Sequence, residues 1–166
     1  MLVLNVDKLI KIIISKNWIL FCGPKGIIVK KKKITTLIFK KLNNIYLFDL
    51  NIYKKFLHNI LGVNIGFCFK LRLIGVGYKI SILKNKILFR LGWSHDYLFL
   101  FNNEKIKIIQ PKQKIPFFII FGISLNYISY ISSLIRNLKK PDVYKGKGIC
   151  FDKEILKLKK IKKSNE

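Results

Sequence analysis

The sequence predicts an α+β protein of two similar small modules, each a mostly antiparallel strand series followed by one helix, with a basic tail behind the second. Three observations carry this reading. Short apolar runs separated by Gly, Pro and Asn turn chemistry occur in two series. Each series closes on a stretch in which apolar residues recur every three or four positions. The 166-residue chain is 51% apolar, enough to build real cores. The modules are placed at 1–65 and 66–150, joined near Asn64 to Gly66, and the tail at 151–166.

In the first module, Trp18 to Cys22 is strand-like, Gly23-Pro24-Lys25-Gly26 is turn chemistry, and Ile27 to Val29 resumes the apolar run, so a hairpin is expected. The run Lys30 to Lys33 reads first as a solvated loop or a sheet edge blunted by charge, and second as a contact for RNA or a neighbouring protein. Ile34 to Phe39 and Ile45 to Phe48 flank Lys40-Lys41-Leu42-Asn43-Asn44, whose asparagines suit a left-handed turn, predicting a second hairpin. Ile52, Tyr53, Phe56, Leu57, Ile60 and Leu61 then stripe one face of a short helix ending near Gly62.

The second module opens on Phe67 to Ile74, where Lys70 and Arg72 alternate with Leu71 and Leu73. Gly75-Val76-Gly77 reads as a bulge before Tyr78 to Leu83, Lys84-Asn85 turns the chain, and Lys86 to Leu91 returns antiparallel. Gly92-Trp93-Ser94-His95 is an irregular link, and Tyr97 to Phe101, Lys105 to Gln110 and Pro116 to Phe121 are further strands. Ser124 can cap a helix bearing Leu125, Ile128, Ile131, Ile135 and Leu138 on one face, with Lys139 and Lys140 at its negative end. Pro141 stops it. In the tail, Ile155, Leu158 and Ile161 recur among lysines, predicting one or two turns of basic helix that RNA would order.

Charge points to an anionic partner. The formal net charge is +25, with 12 basic against 2 acidic residues in 1–66, 13 against 2 in 67–140 and 8 against 4 in 141–166. Nucleic acid is the first partner such a field implies, and an anionic membrane surface the second. Only Arg72, Arg90 and Arg136 are arginine, and alanine is absent while Ile, Lys, Asn, Phe and Tyr abound. That skew follows codons and points to an AT-rich genome such as an organelle's, a mitochondrion ahead of a plastid. Met1 to Ile14 carries Asp7 and no arginine, unlike an imported transit peptide, so an organelle-made protein is expected.

Catalytic and metal chemistry find little footing. Cys22, Cys68 and Cys150 lie far apart and His58 and His95 have no partner at metal-ligand spacing, so no zinc site, disulfide framework or cofactor is expected. Gly75 and Gly77 are too few for a dinucleotide fingerprint. Ser94-His95-Asp96 brings together the residue types of a hydrolytic triad, but sequence neighbours point apart, and a triad requires convergence. The chain reads as no enzyme and as having no small-molecule substrate.

The strongest site is Pro141-Asp142-Val143-Tyr144-Lys145-Gly146-Lys147-Gly148-Ile149. Gly146 and Gly148 let the backbone approach a ligand, Lys145 and Lys147 supply point charges, and Tyr144 offers a flat face for stacking. Charge plus glycine alone would equally describe a solvated turn. The nonapeptide is, however, similar to the signature of the large-subunit ribosomal protein L-six family. Gly62-Val63 with Gly66-Phe67, Lys70-Leu71, Val76-Gly77-Tyr78 and Leu91-Gly92-Trp93-Ser94-His95 appear in that family's order and spacing. The Trp18 to Ile28 hairpin also resembles it, whereas the region after Phe48 is shorter than usual, and Trp93 and Asp96 stand where the family commonly has Phe and Pro.

The resemblance implies two related antiparallel-sheet domains, each with a helix packed on one face. It implies binding to large-subunit rRNA near the sarcin-ricin loop, beside the docking site of translational GTPases and among other large-subunit proteins. The residues expected at RNA are Trp93, Ser94, His95, Lys139, Lys140, Tyr144, Lys145, Gly146, Lys147, Gly148, Lys153, Lys157, Lys159 and Lys160. For His95 a structural hydrogen bond is the competing role. One alternative stays open: residues 116–135 carry no charge and precede Arg136, Lys139 and Lys140, as one span of a basic organellar membrane protein would. Gly122, Ser124, Asn126, Ser129, Ser132 and Ser133 argue against it.

Overall fold

The computed structural model describes residues 2–5, 9–32, 38–41, 44–47, 49–111 and 117–160. It is α+β and divides into two compact units, 1–67 with 122–125, and 68–121 with 126–166.

The first unit holds β1 (Leu2–Asn5), β2 (Lys11–Ile14), β3 (Trp18–Gly23), β4 (Gly26–Lys31), β5 (Ile38–Lys41), β6 (Asn44–Leu47) and α1 (Leu50–Asn64). Two antiparallel three-stranded sheets result, in the orders β2-β3-β4 and β1-β6-β5. Gly23 faces Gly26 across the first hairpin, and Gly26 takes φ +144° there. Lys41 faces Asn44 in the second hairpin, so Lys40, Lys41 and Asn44 belong to strands and not to the turn. Leu42, Asn43, residues 34–37 and Phe48, which the sequence assigned to that hairpin, lie outside the described residues, as do Lys33, Lys112, Lys114, Pro116 and Ile161.

Helix α1 starts where Asp49 accepts the Asn51 N–H at 2.8 Å, filling one of the donors that a helix N-terminus leaves unpaired. It buries Phe56, Ile60 and Val63 with Ile10, Ile12, Ile19, Phe21, Ile28 and Ile45. Phe56 meets Phe21 edge to face at 5.1 Å. Each such side chain contributes about 1.5–3 kcal/mol by leaving water. The helix ends close to Gly62, two residues beyond it. It runs to Asn64, and Gly66, at φ +84°, donates to Leu61 O as the terminating glycine. Gly62 sits inside the helix because a Cβ there would overlap the carbonyl of Ile123.

The second unit holds β7 (Phe67–Ile74), β8 (Lys79–Ile82), β9 (Lys86–Arg90), β10 (Tyr97–Leu100), β11 (Ile106–Ile109), β12 (Phe117–Gly122), α2 (Leu125–Leu138) and β13 (Gly148–Phe151). Its sheets run β10-β9-β8 and β11-β12-β7-β13. Gly75 to Gly77 is therefore no bulge. It is a turn that carries the chain from one sheet to the other, with Tyr78 N–H donating to Gly75 O at 3.4 Å and Gly77 at φ +76°. Alternation along β7 buries Leu71 and Leu73 and leaves Lys70 and Arg72 part-exposed. Phe89 and Phe118 pack edge to face at 6.0 Å, and α2 buries Ile128, Ile131, Ser132 and Ile135.

The uncharged stretch divides into β12 and α2. A 14-residue helix is about 21 Å long against the ~30 Å of hydrocarbon. Among the described residues no helix is long and apolar enough to cross a membrane. The tail holds no helix by itself: beyond the turn at Asp152 and Lys153, residues 154–160 carry no helical structure, as expected of a segment too short to keep a helix alone. Its acids and one backbone N–H are committed to neighbours, and these contacts outweigh the local apolar period.

Candidate nucleic-acid interface

The candidate site is built where α2 hands over to β13. Lys139 O accepts the Ile149 N–H at 2.8 Å, which closes residues 139–149 into a loop. Asp142 organises its interior. Its N–H donates to Lys147 O at 3.0 Å, its carbonyl accepts the Gly146 N–H at 2.9 Å, and its carboxylate accepts the N–H groups of Tyr144 (3.4 Å) and Lys145 (3.1 Å). The loop is thus held before any ligand arrives. Two glycines make the path possible: Gly146 takes φ +68°, and a Cβ on Gly148 would stand 2.7 Å from Lys140 O and from Pro141 N and Cα. Gly146 and Gly148 are buried, whereas Tyr144, half exposed, and the exposed Lys145 and Lys147 point to solvent.

The tail returns across this loop. Asp152 lies 3.6 Å from Lys70 Nζ and 3.4 Å from Arg72 Nε, and its N–H donates to Lys70 O at 3.0 Å. Glu154 receives both arms of the Arg136 guanidinium, Nε to Oε2 at 2.9 Å and Nη2 to Oε1, and Oε2 also accepts the Phe151 N–H at 3.1 Å. Arg136 therefore holds the Glu154 carboxyl below the usual glutamate range against the opposing pull of burial. Farther on, Lys159 N–H donates to Val143 O at 2.8 Å, and Leu156 and Leu158 cover Gly146. Lys153, Lys157, Lys159 and Lys160 remain exposed.

Lys139 links the loop to a second patch. Its ammonium lies 4.9 Å from the centroid of Trp93, which stacks on His95 at 6.2 Å and 14° and meets Tyr97 edge-on. The residues between β9 and β10 are framed by Arg90, whose Nε and Nη2 donate to Asp96 at 3.0 and 2.9 Å. That pairing lowers the Asp96 pKa and raises that of Arg90. Asp96 is thus an ion-pair partner and no part of a triad with Ser94 and His95. Ser94, His95 and Lys140 are exposed.

Sequence reasoning missed the acids and arginines. Asp142, Asp152, Glu154 and Arg136 shape the site, and each of the three arginines lies in an ion pair, Arg72 with Asp152, Arg90 with Asp96 at the surface and Arg136 with Glu154. The outward cations around the loop are therefore lysines. The signal was present in the composition: four of the chain's eight acids fall in 141–166.

These features define a class: a two-unit α+β protein with a preformed Gly-Lys loop and a lysine-rich tail. Known relatives narrow it. The chain is 36% identical over 115 residues to large ribosomal subunit protein uL6m of Prototheca wickerhamii, covering 62% of this chain and 58% of that protein. It is 26% identical over 170 residues to large ribosomal subunit protein uL6 of Chloroherpeton thalassium, covering 95% and 93%. Against uL6 of Xylella fastidiosa the identity is 37% over 105 residues, covering 63% and 58%. The chain thus spans somewhat more than half the length of the Prototheca and Xylella relatives that it matches at higher identity. No family model matches the chain. The chain is thus similar to uL6 proteins of the large ribosomal subunit, one of them over nearly its whole length.

Proposed function

We propose that the chain is a structural constituent of the large subunit of an organellar ribosome, where it binds large-subunit rRNA near the sarcin-ricin loop and the docking region of translational GTPases. The observation that carries this reading is the closed loop around Asp142, which turns Tyr144, Lys145 and Lys147 outward beside a tail rich in exposed lysines. Lysine ammoniums on a fixed backbone neutralise phosphates without the loop having to be ordered on binding, and each contact releases counterions. Lys139, Lys140, Gly146, Gly148, Lys153, Lys157, Lys159 and Lys160 complete the surface, and Trp93, Ser94 and His95 extend it through Lys139. The working division is 1–65, 66–150 and a tail from 151, with RNA contact concentrated in the last two.

The uL6m relative supports a mitochondrial ribosome, and the alanine-free, lysine- and isoleucine-rich composition supports an organelle-encoded gene, a plastid being the second choice. Sedimentation tests the reading. Tagged protein expressed in the organelle should co-migrate with the large subunit on a sucrose gradient and be stripped progressively by rising salt. Recovery in a carbonate-resistant membrane pellet, with none on ribosomes, would refute it.

A further inference from the structure

A carboxylate in the middle of an RNA-binding tail should weaken RNA binding by repulsion. Glu154 is placed so that it does the opposite. Its two oxygens hold the Arg136 fork on α2, and one of them also takes the Phe151 N–H, so a single side chain ties the tail to both α2 and β13. Five residues on, Lys159 N–H reaches Val143 O in the loop. Between these ties the chain carries no helical structure. Leu156 and Leu158 lie over Gly146, while Lys157 and Lys159 are exposed.

We infer that Glu154 is a positioning residue for RNA: by clamping the tail to Arg136 it sets Lys157, Lys159 and Lys160 beside Tyr144, Lys145 and Lys147 as one surface. The inference rests on the rRNA-binding reading above and adds the device that assembles the site. A free tail would still carry its charge, but ordering it would cost conformational entropy at each binding event. Glu104 is the natural control, an exposed acid with no ion pair among the described residues. Removing either acid raises the net charge by the same amount.

The test uses the full chain, with an in vitro transcript of a bacterial large-subunit rRNA and with polyuridylate as a non-specific probe, each titrated at several salt concentrations. Glu104→Gln should bind the transcript as tightly as wild type or slightly tighter. Glu154→Ala should bind about tenfold more weakly, and its salt slope should fall by roughly 1.5–3, the value for two to four lost phosphate contacts. Glu154→Gln, which keeps the shape and one acceptor oxygen, should lie between them, and it carries the test if the alanine variant misfolds by circular dichroism. The decisive arm replaces Lys157, Lys159 and Lys160 together with Gln. In that background Glu154→Ala should have little further effect, because nothing remains for the clamp to position. Binding by Glu154→Ala as tight as wild type overturns the inference, as does an equal loss in the lysine-neutral background. If wild type prefers neither probe, the rRNA reading itself falls and takes the clamp with it.

Discussion

The loop's shape rests on two glycines that serve different ends, and substitution separates them. At Gly146 (φ +68°) a Cβ would stand 3.5 and 3.7 Å from the side chains of Leu158 and Leu156, ordinary van der Waals distance. Gly146→Ala therefore carries only the left-handed backbone penalty, about 1–2 kcal/mol. Gly77 (φ +76°), with nothing within 4 Å of its Cβ position, isolates the same term in the turn after β7. Gly148 is different. Its φ is +155°, and its Cβ would be 2.7 Å from three backbone atoms of Lys140 and Pro141, which cannot move aside as a side chain can. Overpacking adds about 1–3 kcal/mol to a backbone strain of about 1–2 kcal/mol, so Gly148→Ala should cost about 2–5 kcal/mol in all. Urea titration followed by circular dichroism measures this: Gly77→Ala and Gly146→Ala should agree within about 1 kcal/mol, and Gly148→Ala should exceed both. In thermal melts the Gly148 variant should lose roughly 4–20 °C. Equal losses at Gly146 and Gly148 would refute the argument, since they would show that the close backbone approach at Gly148 contributes nothing.

Three further outcomes follow from the same geometry. Lys145→Glu with Lys147→Glu should impair incorporation into large subunits more than Lys30→Glu with Lys31→Glu, because the first pair stands on the fixed loop and the second on the exposed edge strand β4; equal loss in equally folded variants would leave net charge as the whole explanation. Ser132→Ala should stabilise the chain by about 1 kcal/mol, since the buried Ser132 Oγ has no hydrogen-bond partner among the described residues and alanine favours the helix, and a loss of stability on urea titration would contradict this. The stability difference between wild type and Glu154→Gln should be constant above the unfolded glutamate pKa of about 4.3 and shrink as pH falls through the lower folded value, because the ionised carboxylate is what Arg136 holds; a difference that grows on acidification would reverse the assigned sign.

Much of the architecture was legible because it is local. The Gly-x-x-Gly turn of the first hairpin, the basic-apolar alternation along β7 and the isoleucine stripe of α2 each report their own element within a few residues. What was not legible depends on distant partners. Strand β1 pairs with β6 some forty residues away, with Leu2 opposite Leu47. Gly62 carries the sequence signal of a helix end, yet its real constraint is the Ile123 carbonyl, which no local pattern reveals. The path of the tail depends on distant partners too. Its apolar spacing is helical, but ties from Asp152, Glu154 and the Lys159 N–H to three separate elements fix it differently. For the site, the residues offered to solvent were readable and those holding them were not, because a carboxylate's role lies in the partner it meets.

The division between arginine and lysine has a physical basis that joins fold to function. A guanidinium has a rigid fork that matches a carboxylate in two bonds at once, which suits fixed internal pairs, whereas an ammonium is a compact charge on a flexible stem that adapts to phosphates. In this chain Arg90 and Arg136 each hold a carboxylate with two nitrogens, and Arg72 lies against Asp152 on β7. The few acids are spent in the same places: Asp49 caps α1, Asp142 shapes the loop, and Asp96, Asp152 and Glu154 meet the arginines. A strongly basic chain is under constant self-repulsion, and each acid placed against an arginine relieves that repulsion inside the fold while leaving the lysine field outside intact. The structure of the loop and the charge that the loop presents are therefore carried by different residue types. For that reason, changing an internal pair should alter the placement of the surface lysines without altering their number.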